Sequence, residues 1–177
     1  MRRGGLSYRV RGPAARKRAI WINVPFGAVS FTETANTQQL LVPEDWESQY
    51  AGNGNEVATL RAIVGEIIVM QTTVGTAGGN AFWGMYIADK DATVLPSFSV
   101  AGMADVDWLR TGVRGTSATV TASVLQASNQ FTVPIAVKAK RRLKSRDAIY
   151  ICAQYGTDAA APAGVLSGLL RFLVARG

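Results

Sequence analysis

The 177-residue sequence contains no histidine and a single cysteine, Cys152. Without histidine the chain cannot build a Ser-His-Asp or Cys-His catalytic arrangement, and it lacks the commonest protein ligand for transition metals. A single cysteine excludes an internal disulfide and a cysteine-rich zinc site. Cys152 lies in the strand-like run A-I-Y-I-C-A, so we expect a buried structural thiol. We therefore expect no enzyme activity, no catalytic residue, no metal site and no cofactor.

Long apolar runs are also missing from the sequence. No run approaches the roughly 18 residues that a transmembrane helix needs. The charged N-terminus is not followed by the apolar stretch of a secretory signal. We therefore expect no association with a membrane. A length of 177 residues fits one domain that is large enough to bury a core.

Acidic residues are absent from the first eighteen positions, although the chain has 12 of them. The same stretch carries seven of the 19 basic residues, so 12 basic and 12 acidic residues remain for the rest of the chain. The net charge of +7 therefore belongs to residues 1–18 alone. This stretch is also rich in glycine, and it is too poor in apolar residues to fold by itself, which predicts a disordered arm. The basic residues of the arm are Arg2, Arg3, Arg9, Arg11, Arg16, Lys17 and Arg18.

The composition of this arm favours binding to nucleic acid. Arginine dominates it, and the guanidinium group suits bidentate contact with phosphate. Tyr8 lies among the arginines, where it could stack on an unpaired base. The alternatives are a solubilising tail, or an anchor for an acidic protein or a membrane. The arm lacks the apolar face of a membrane-bound helix, which disfavours the membrane.

A second basic cluster occupies residues 138–146, where six of nine residues are cationic. Lys138 and Lys140 alternate with apolar residues, so we expect them on one face of a strand, with the other four in the turn before Ala148. The cluster is either a solvated hairpin tip or a second phosphate-binding surface that continues the arm. Its members are Lys138, Lys140, Arg141, Arg142, Lys144 and Arg146.

The longest β-prone segment is 57–74, which lies between two turns rich in glycine and asparagine. Its β-branched residues predict one long strand, bent or bulged at Gly65. The even-numbered residues Ala58, Leu60, Ala62, Val64 and Ile68 are expected to share its buried face.

Further strands are predicted at 16–24, 81–88, 130–139 and 148–155. Residues 28–34 fit a second short strand or the far half of the first. Residues 165–174 could be helical by their leucine content, but Gly168 and the preceding β pattern favour a strand. Residues 107–114 fit a strand or a surface loop, and residues 117–125 are β-prone. Pro25 is expected to end the first strand, and Pro134 indicates an edge strand or a bulge. A short helix is predicted at 44–50. About eight strands without βαβ alternation predict an all-β sandwich or barrel.

An arm of the form M-R-R-G-G…R-K-R leads directly into a β-strand, and the body contains the long strand V-A-T-L-R-A-I-V-G-E-I. This arrangement resembles the single jelly-roll coat proteins of small circular single-stranded DNA viruses. Small RNA viruses and satellite viruses share the design. The resemblance covers the whole chain at the level of architecture. It implies a disordered Arg-rich arm at 1–18 and one shell domain at 19–177, an all-β, eight-stranded antiparallel jelly-roll sandwich.

The resemblance also implies a function. The protein would be a viral capsid protein that self-assembles into an icosahedral T=1 shell of about sixty copies. The arms would package a genome, with single-stranded DNA favoured over RNA, and the protein would reside in the virion after assembly inside the host cell. About 420 positive arm charges would then lie inside the shell, which could neutralise several hundred phosphates without reading sequence.

Two other function classes stay open at this stage. One is a non-viral β-barrel nucleic-acid-binding module with a basic tail. Such modules usually have basic bodies, whereas this body is neutral. The other is an enzyme or lectin-like sandwich, which the lack of histidine and of an acidic cluster disfavours.

Overall fold

The computed structural model describes residues 19–47, 58–72, 79–92, 96, 98–99, 103–104, 106–115, 130–156 and 163–176. Within these ranges the chain forms eight strands and the short helix α1 (Glu44–Glu47). The strands are β1 (Ala19–Phe31), β2 (Asn36–Leu41), β3 (Ala58–Gln71), β4 (Asn80–Asp89), β5 (Asp107–Gly115), β6 (Gln130–Leu143), β7 (Asp147–Tyr155) and β8 (Gly164–Arg176).

The strands form two four-stranded antiparallel sheets. Sheet I has the order β1-β8-β3-β6, and sheet II has the order β2-β7-β4-β5. Both sheets interleave early and late strands of the chain, which is the arrangement that two Greek keys produce in a jelly roll. The predicted all-β, eight-stranded antiparallel jelly-roll sandwich is therefore confirmed. The predicted strand at 117–125 and the arm at 1–18 lie outside the described residues.

The main core fills the space between the two sheets. Leu60 and Ile63 from β3 and Phe172 from β8 meet Met85 from β4 and Ile151 from β7, and all five are fully buried. A smaller apolar cluster lies on the other face of sheet II, where Phe98, Val106 and Trp108 pack against that sheet. Cys152 belongs to this second cluster and is fully buried, as predicted. Among the described residues, the outer face of sheet II is therefore partly covered, whereas the outer face of sheet I is exposed.

The irregularity in β3 does not occur at the predicted place. The register of β3 shifts between Leu60 and Ala62 against both β6 and β8. Against β8, Arg61 is an extra residue in the strand, since Leu60 and Ala62 pair with the consecutive residues Val174 and Leu173. An extra residue reverses the alternation of the side chains beyond it. The prediction that Ala62, Val64 and Ile68 share the buried face of Leu60 is therefore wrong. The buried residues beyond the bulge are Ile63, Ile67, Val69 and Gln71.

Gly65 has a different role from the predicted one. Its φ is +146°, a region that residues with a side chain rarely adopt. A Cβ atom at this position would run into the carbonyl oxygen of Leu169 and would lie 3.0 Å from the Cα of Leu170. Gly65 therefore allows β3 and β8 to approach closely at the centre of sheet I.

The two prolines of sheet I both lie in its edge strands. Pro134 is in β6, as predicted for an edge strand. Pro25 does not end the first strand, because β1 continues to Phe31 with a register shift between Phe26 and Val29. An edge strand tolerates proline because half of its N–H groups face away from its single neighbour.

Candidate nucleic-acid interface

The outer face of sheet I carries five cations and one acidic residue, Glu66, within the described strands. We call it the basic face. Its outward direction follows from the register, since Lys138 pairs with Ala62, Ala62 pairs with Leu173, and Leu173 pairs with Trp21. The cations of the basic face are Arg61, Lys138, Lys140, Arg142 and Arg171, and all of them are exposed.

Three of these cations come from β6 because of its regular alternation. Odd-numbered residues from Phe131 to Leu143 face the core side, with Ile135, Ala139 and Leu143 buried, and even-numbered residues are exposed. Lys138, Lys140 and Arg142 therefore share the outer face. Because β6 extends to Leu143, Arg142 lies in the strand rather than in the predicted turn. The bulge in β3 against β8 leaves Arg61 exposed beside them.

Arg141 faces the opposite side of β6. Its Nη2 atom lies 3.1 Å from Oδ1 of Asp107 on β5, so it forms an ion pair across the open edge of the sandwich. The pair joins the neighbouring edges of the two sheets. Arg141 is therefore separated from the basic face, although it lies next to Arg142 in the sequence.

Arg146 is held by two carboxylates. Its guanidinium contacts Asp89 and Asp91 at 2.8–3.0 Å. These hydrogen bonds lower the pKa of Asp89 to about 2 and raise the pKa of Arg146. Lys144 is exposed in the turn between β6 and β7. Among the described residues, no ion pair involves Lys138, Lys140, Arg142 or Lys144.

An exposed aromatic ring lies on the basic face. Trp21 in β1 is 44% exposed, and the guanidinium carbon of Arg171 lies 5.0 Å from the centre of its ring. The arrangement is a cation–π contact between the two neighbouring strands β1 and β8. The sequence analysis missed Trp21, Arg61 and Arg171 as site residues. The alternation of Trp21 with Ile20 and Ile22, which pack against the core, is the local signal that could have identified an outward tryptophan.

The arm precedes the sheet at the end where the basic cluster lies. Ala19 begins β1 and pairs with Ala175, and at the same end Ala58 pairs with both Arg176 and Leu143. Arg142 is therefore at the end of sheet I from which the arm continues. Three strand spacings separate β1 from β6, about 14 Å across the sheet. Residues 1–18 lie outside the described residues, and their binding to nucleic acid stays a prediction.

No described helix is long and apolar enough to cross a membrane. In the described part of the chain, no group of three or more Cys, Asp or Glu side chains is placed to hold a metal ion.

Comparison with known proteins gave matches in structure only. No protein-family model and no curated protein matches the chain. Similar solved structures include the virion of Kashmir bee virus, with 11% identity, 100% of this chain and 81% of that chain covered, and a TM-score of 0.37. Mud crab tombus-like virus has 7% identity, with 94% of each chain covered and a TM-score of 0.40.

A hydrolase also resembles the chain. The CocE/NonD family hydrolase from Staphylococcus aureus is 9% identical, with 90% of this chain covered and a TM-score of 0.44. The chain spans 37% of the length of that hydrolase. Viruses predominate among the similar structures. At these identities and TM-scores the likenesses are distant, and the function is inferred from the chain's own residues.

Proposed function

We propose that this protein is a viral capsid protein that self-assembles into a small icosahedral shell and packages nucleic acid through its arm and its basic face. The observation that carries the proposal is the separation of charge on a jelly-roll body. Residues 19–177 balance 12 basic with 12 acidic residues, yet the exposed face of sheet I carries five cations against one acid. The arm continues from the same sheet.

This separation suits a shell that encloses a polyanion. Exposed lysine and arginine bind phosphate without reading sequence, so one surface can contact any part of a genome. Residues 19–177 are neutral as a whole, which limits electrostatic repulsion between neighbouring copies. The proposed role is structural and needs no catalytic group. In the proposed particle the basic face of every subunit points inward.

Residues of the predicted cluster contribute differently to this proposal. Lys138, Lys140 and Arg142 join Arg61 and Arg171 on the inward face, and Lys144 extends it at the turn. Arg141 and Arg146 are engaged with carboxylates, so we assign them to holding the edges and the turn of the body. The seven arm cations supply the larger share of the charge.

The proposed copy number, genome type and location follow from the resemblance of the sequence to single jelly-roll coat proteins. We propose about sixty copies in a T=1 shell. Such a shell is the simplest closed icosahedral arrangement of identical subunits that could enclose a genome. Single-stranded DNA is the proposed genome, and the virion is the proposed location.

Electron microscopy of the purified recombinant protein, with its absorbance ratio at 260 and 280 nm, tests the proposal. The matched variant replaces the seven arm cations with glutamine and keeps the chain length. We expect uniform closed particles with a high ratio for the wild type, and particles with a low ratio for the variant. A small species that binds nucleic acid but never closes into shells, across a series of salt concentrations and pH values, would favour the non-viral binding module instead.

A further inference from the structure

We propose that the basic face prefers single-stranded over double-stranded nucleic acid, because one unpaired base stacks on Trp21. The inference rests on the proposed function, since it assumes that nucleic acid contacts this face. It assigns a base-binding role to an aromatic ring and phosphate-binding roles to the cations of β3 and β6. The inference is supported by the register of sheet I, in which paired residues on the four strands form one row across the sheet. This row runs from Lys138 through Ala62 and Leu173 to Trp21.

Core packing does not account for the position of Trp21. Its neighbours Ile20 and Ile22 pack against the core, whereas Trp21 points outward and is 44% exposed. A large aromatic side chain on a solvated strand face exposes apolar area at a cost in free energy. Such exposure is expected where a ring binds a partner with a flat apolar surface. A nucleobase has such a surface.

Arg171 strengthens the case for a base as that partner. Its guanidinium lies over the ring of Trp21 at 5.0 Å, which orients the indole and places a positive charge beside it. Because Trp21 stays 44% exposed beside this contact, we infer that its ring can take a second stacking partner. A base that stacks on Trp21 therefore brings its own phosphate close to Arg171. Stacking of a base on an aromatic side chain is tolerant of sequence, since every base has a π-face.

The width of the basic face fits a single-stranded nucleic acid that lies across sheet I. Lys138 and Trp21 lie at opposite edges of sheet I, about 14 Å apart by strand spacing. Arg61, Lys138 and Arg142 can bind phosphates at one edge while a base reaches Trp21 at the other. In a duplex the faces of the bases are stacked on one another, so a duplex can use only the phosphate contacts. The basic face should therefore bind an unpaired strand more tightly.

Fluorescence anisotropy with the full-length protein tests this inference. The labelled probes are an oligothymidylate, the matched duplex, and an abasic strand with the same number of phosphates, in salt that screens much of the arm's contribution. We expect Trp21→Ala to lower the affinity for the oligothymidylate roughly 5-fold to 100-fold. The affinities for the duplex and for the abasic strand should stay unchanged. Trp21→Phe should retain most of the affinity. The control Leu169→Ala, which removes another exposed apolar side chain from the same face, should change none of the three.

Tryptophan fluorescence gives a second readout that does not depend on the alanine variant. The oligothymidylate should quench the emission of the wild-type protein, the abasic strand should not, and the quenching should be lost in Trp21→Phe. Equal weakening of all three probes by Trp21→Ala, or no weakening of any, would overturn the inference.

The two proposals can fail separately. Closed particles with a high absorbance ratio, together with an unchanged preference of Trp21→Ala for single-stranded nucleic acid, would reject base stacking and support the capsid function. Loss of particles in Trp21→Ala with an unchanged preference would make Trp21 a contact between subunits, which also overturns the inference. If the wild type forms no particles but Trp21→Ala selectively loses single-strand binding, the stacking site stands and the capsid does not.

Discussion

Arg146 forms a two-pronged hydrogen bond with Asp89, in which Nε lies 2.8 Å from Oδ2 and Nη2 lies 3.0 Å from Oδ1. Nη2 also lies 2.8 Å from Oδ2 of Asp91, and the backbone N–H of Lys90 donates to the carbonyl oxygen of Arg146 at 2.7 Å. These bonds fasten the turn between β6 and β7 to the end of β4. They give Arg146 a structural partner that Lys138 and Arg142, on the basic face, do not have among the described residues.

This ion pair predicts a dependence of stability on pH. The pKa of Asp89 is lowered from 3.8 to about 2 by its hydrogen bonds with Arg146. A carboxylate whose pKa is lower in the folded state stabilises that state above its unfolded pKa, and the contribution is lost as the pH falls through the folded pKa. Asp89→Asn should therefore lower the Tm at neutral pH, and the difference from the wild type should shrink between about pH 4 and pH 2.

Circular dichroism melts across this pH range measure the effect. The control Glu66→Gln removes a carboxylate of sheet I that forms no ion pair among the described residues, and it should change the neutral Tm little. A difference between Asp89→Asn and the wild type that stays constant from pH 7 to pH 2 would contradict the prediction.

Gly65 predicts a large effect of a single methyl group. Alanine at this position would have to adopt a φ of +146° and would collide with the carbonyl oxygen of Leu169. The backbone conformation alone costs about 1–3 kcal/mol, and the collision adds to it. Gly65→Ala should therefore reduce the free energy of unfolding in urea by at least this amount. Gly27→Ala is the control, since a Cβ atom at that position would have no other atom within 4 Å. If Gly65→Ala were as stable as the wild type, the close approach of β3 and β8 would not be the reason for this glycine.

Cys152 predicts an unreactive thiol in the folded protein. The side chain is fully buried, and burial raises the pKa of its thiol to about 12. The thiolate is the reactive form of cysteine, so both its scarcity and its lack of access slow the reaction. A chromogenic disulfide reagent at pH 8 should leave the native protein unmodified and should modify one thiol per chain in denaturant. Rapid modification of the native protein would contradict this prediction and would show that the smaller apolar cluster on sheet II opens readily.

The basic face predicts a measurable share of the salt dependence of binding. Each phosphate contact on a single strand contributes about −0.7 to the slope of log affinity against log salt, so seven arm contacts give a slope of up to about −5. The double variant Lys138→Gln, Arg142→Gln should make the slope less steep by about 1.4. Titration of a labelled single strand over a series of salt concentrations measures it.

The matched control for that measurement removes two cations from β5 of sheet II, Arg110→Gln and Arg114→Gln. These residues do not lie on the basic face, so their loss should leave the slope unchanged. An equal change in both double variants would mean that binding depends on net charge rather than on one surface. An affinity of the wild type that does not vary with salt would contradict phosphate binding altogether.

The sequence alone determined the class of the fold, the position of most strands and the burial of Cys152. These properties depend on local signals. Alternation of apolar residues, β-branched content and turns rich in glycine are all read within about ten residues of the chain. Pro134 also limited β6 to an edge position or a bulge, because proline removes a donor that an inner strand needs. The concentration of positive charge in residues 1–18 required only counting.

The tertiary structure decided how the charges and the aromatic side chains of the body are distributed. Arg141 and Arg142 are adjacent in sequence, but the first pairs with Asp107 and the second lies on the basic face. Arg61 joins that face because the register shifts beside Leu60, which the residues of β3 alone do not reveal. Trp21 meets Arg171 because the first and last strands of the chain are neighbours in sheet I. Pairing between distant strands fixes these contacts, and such pairing is a property of the whole fold rather than of any local segment.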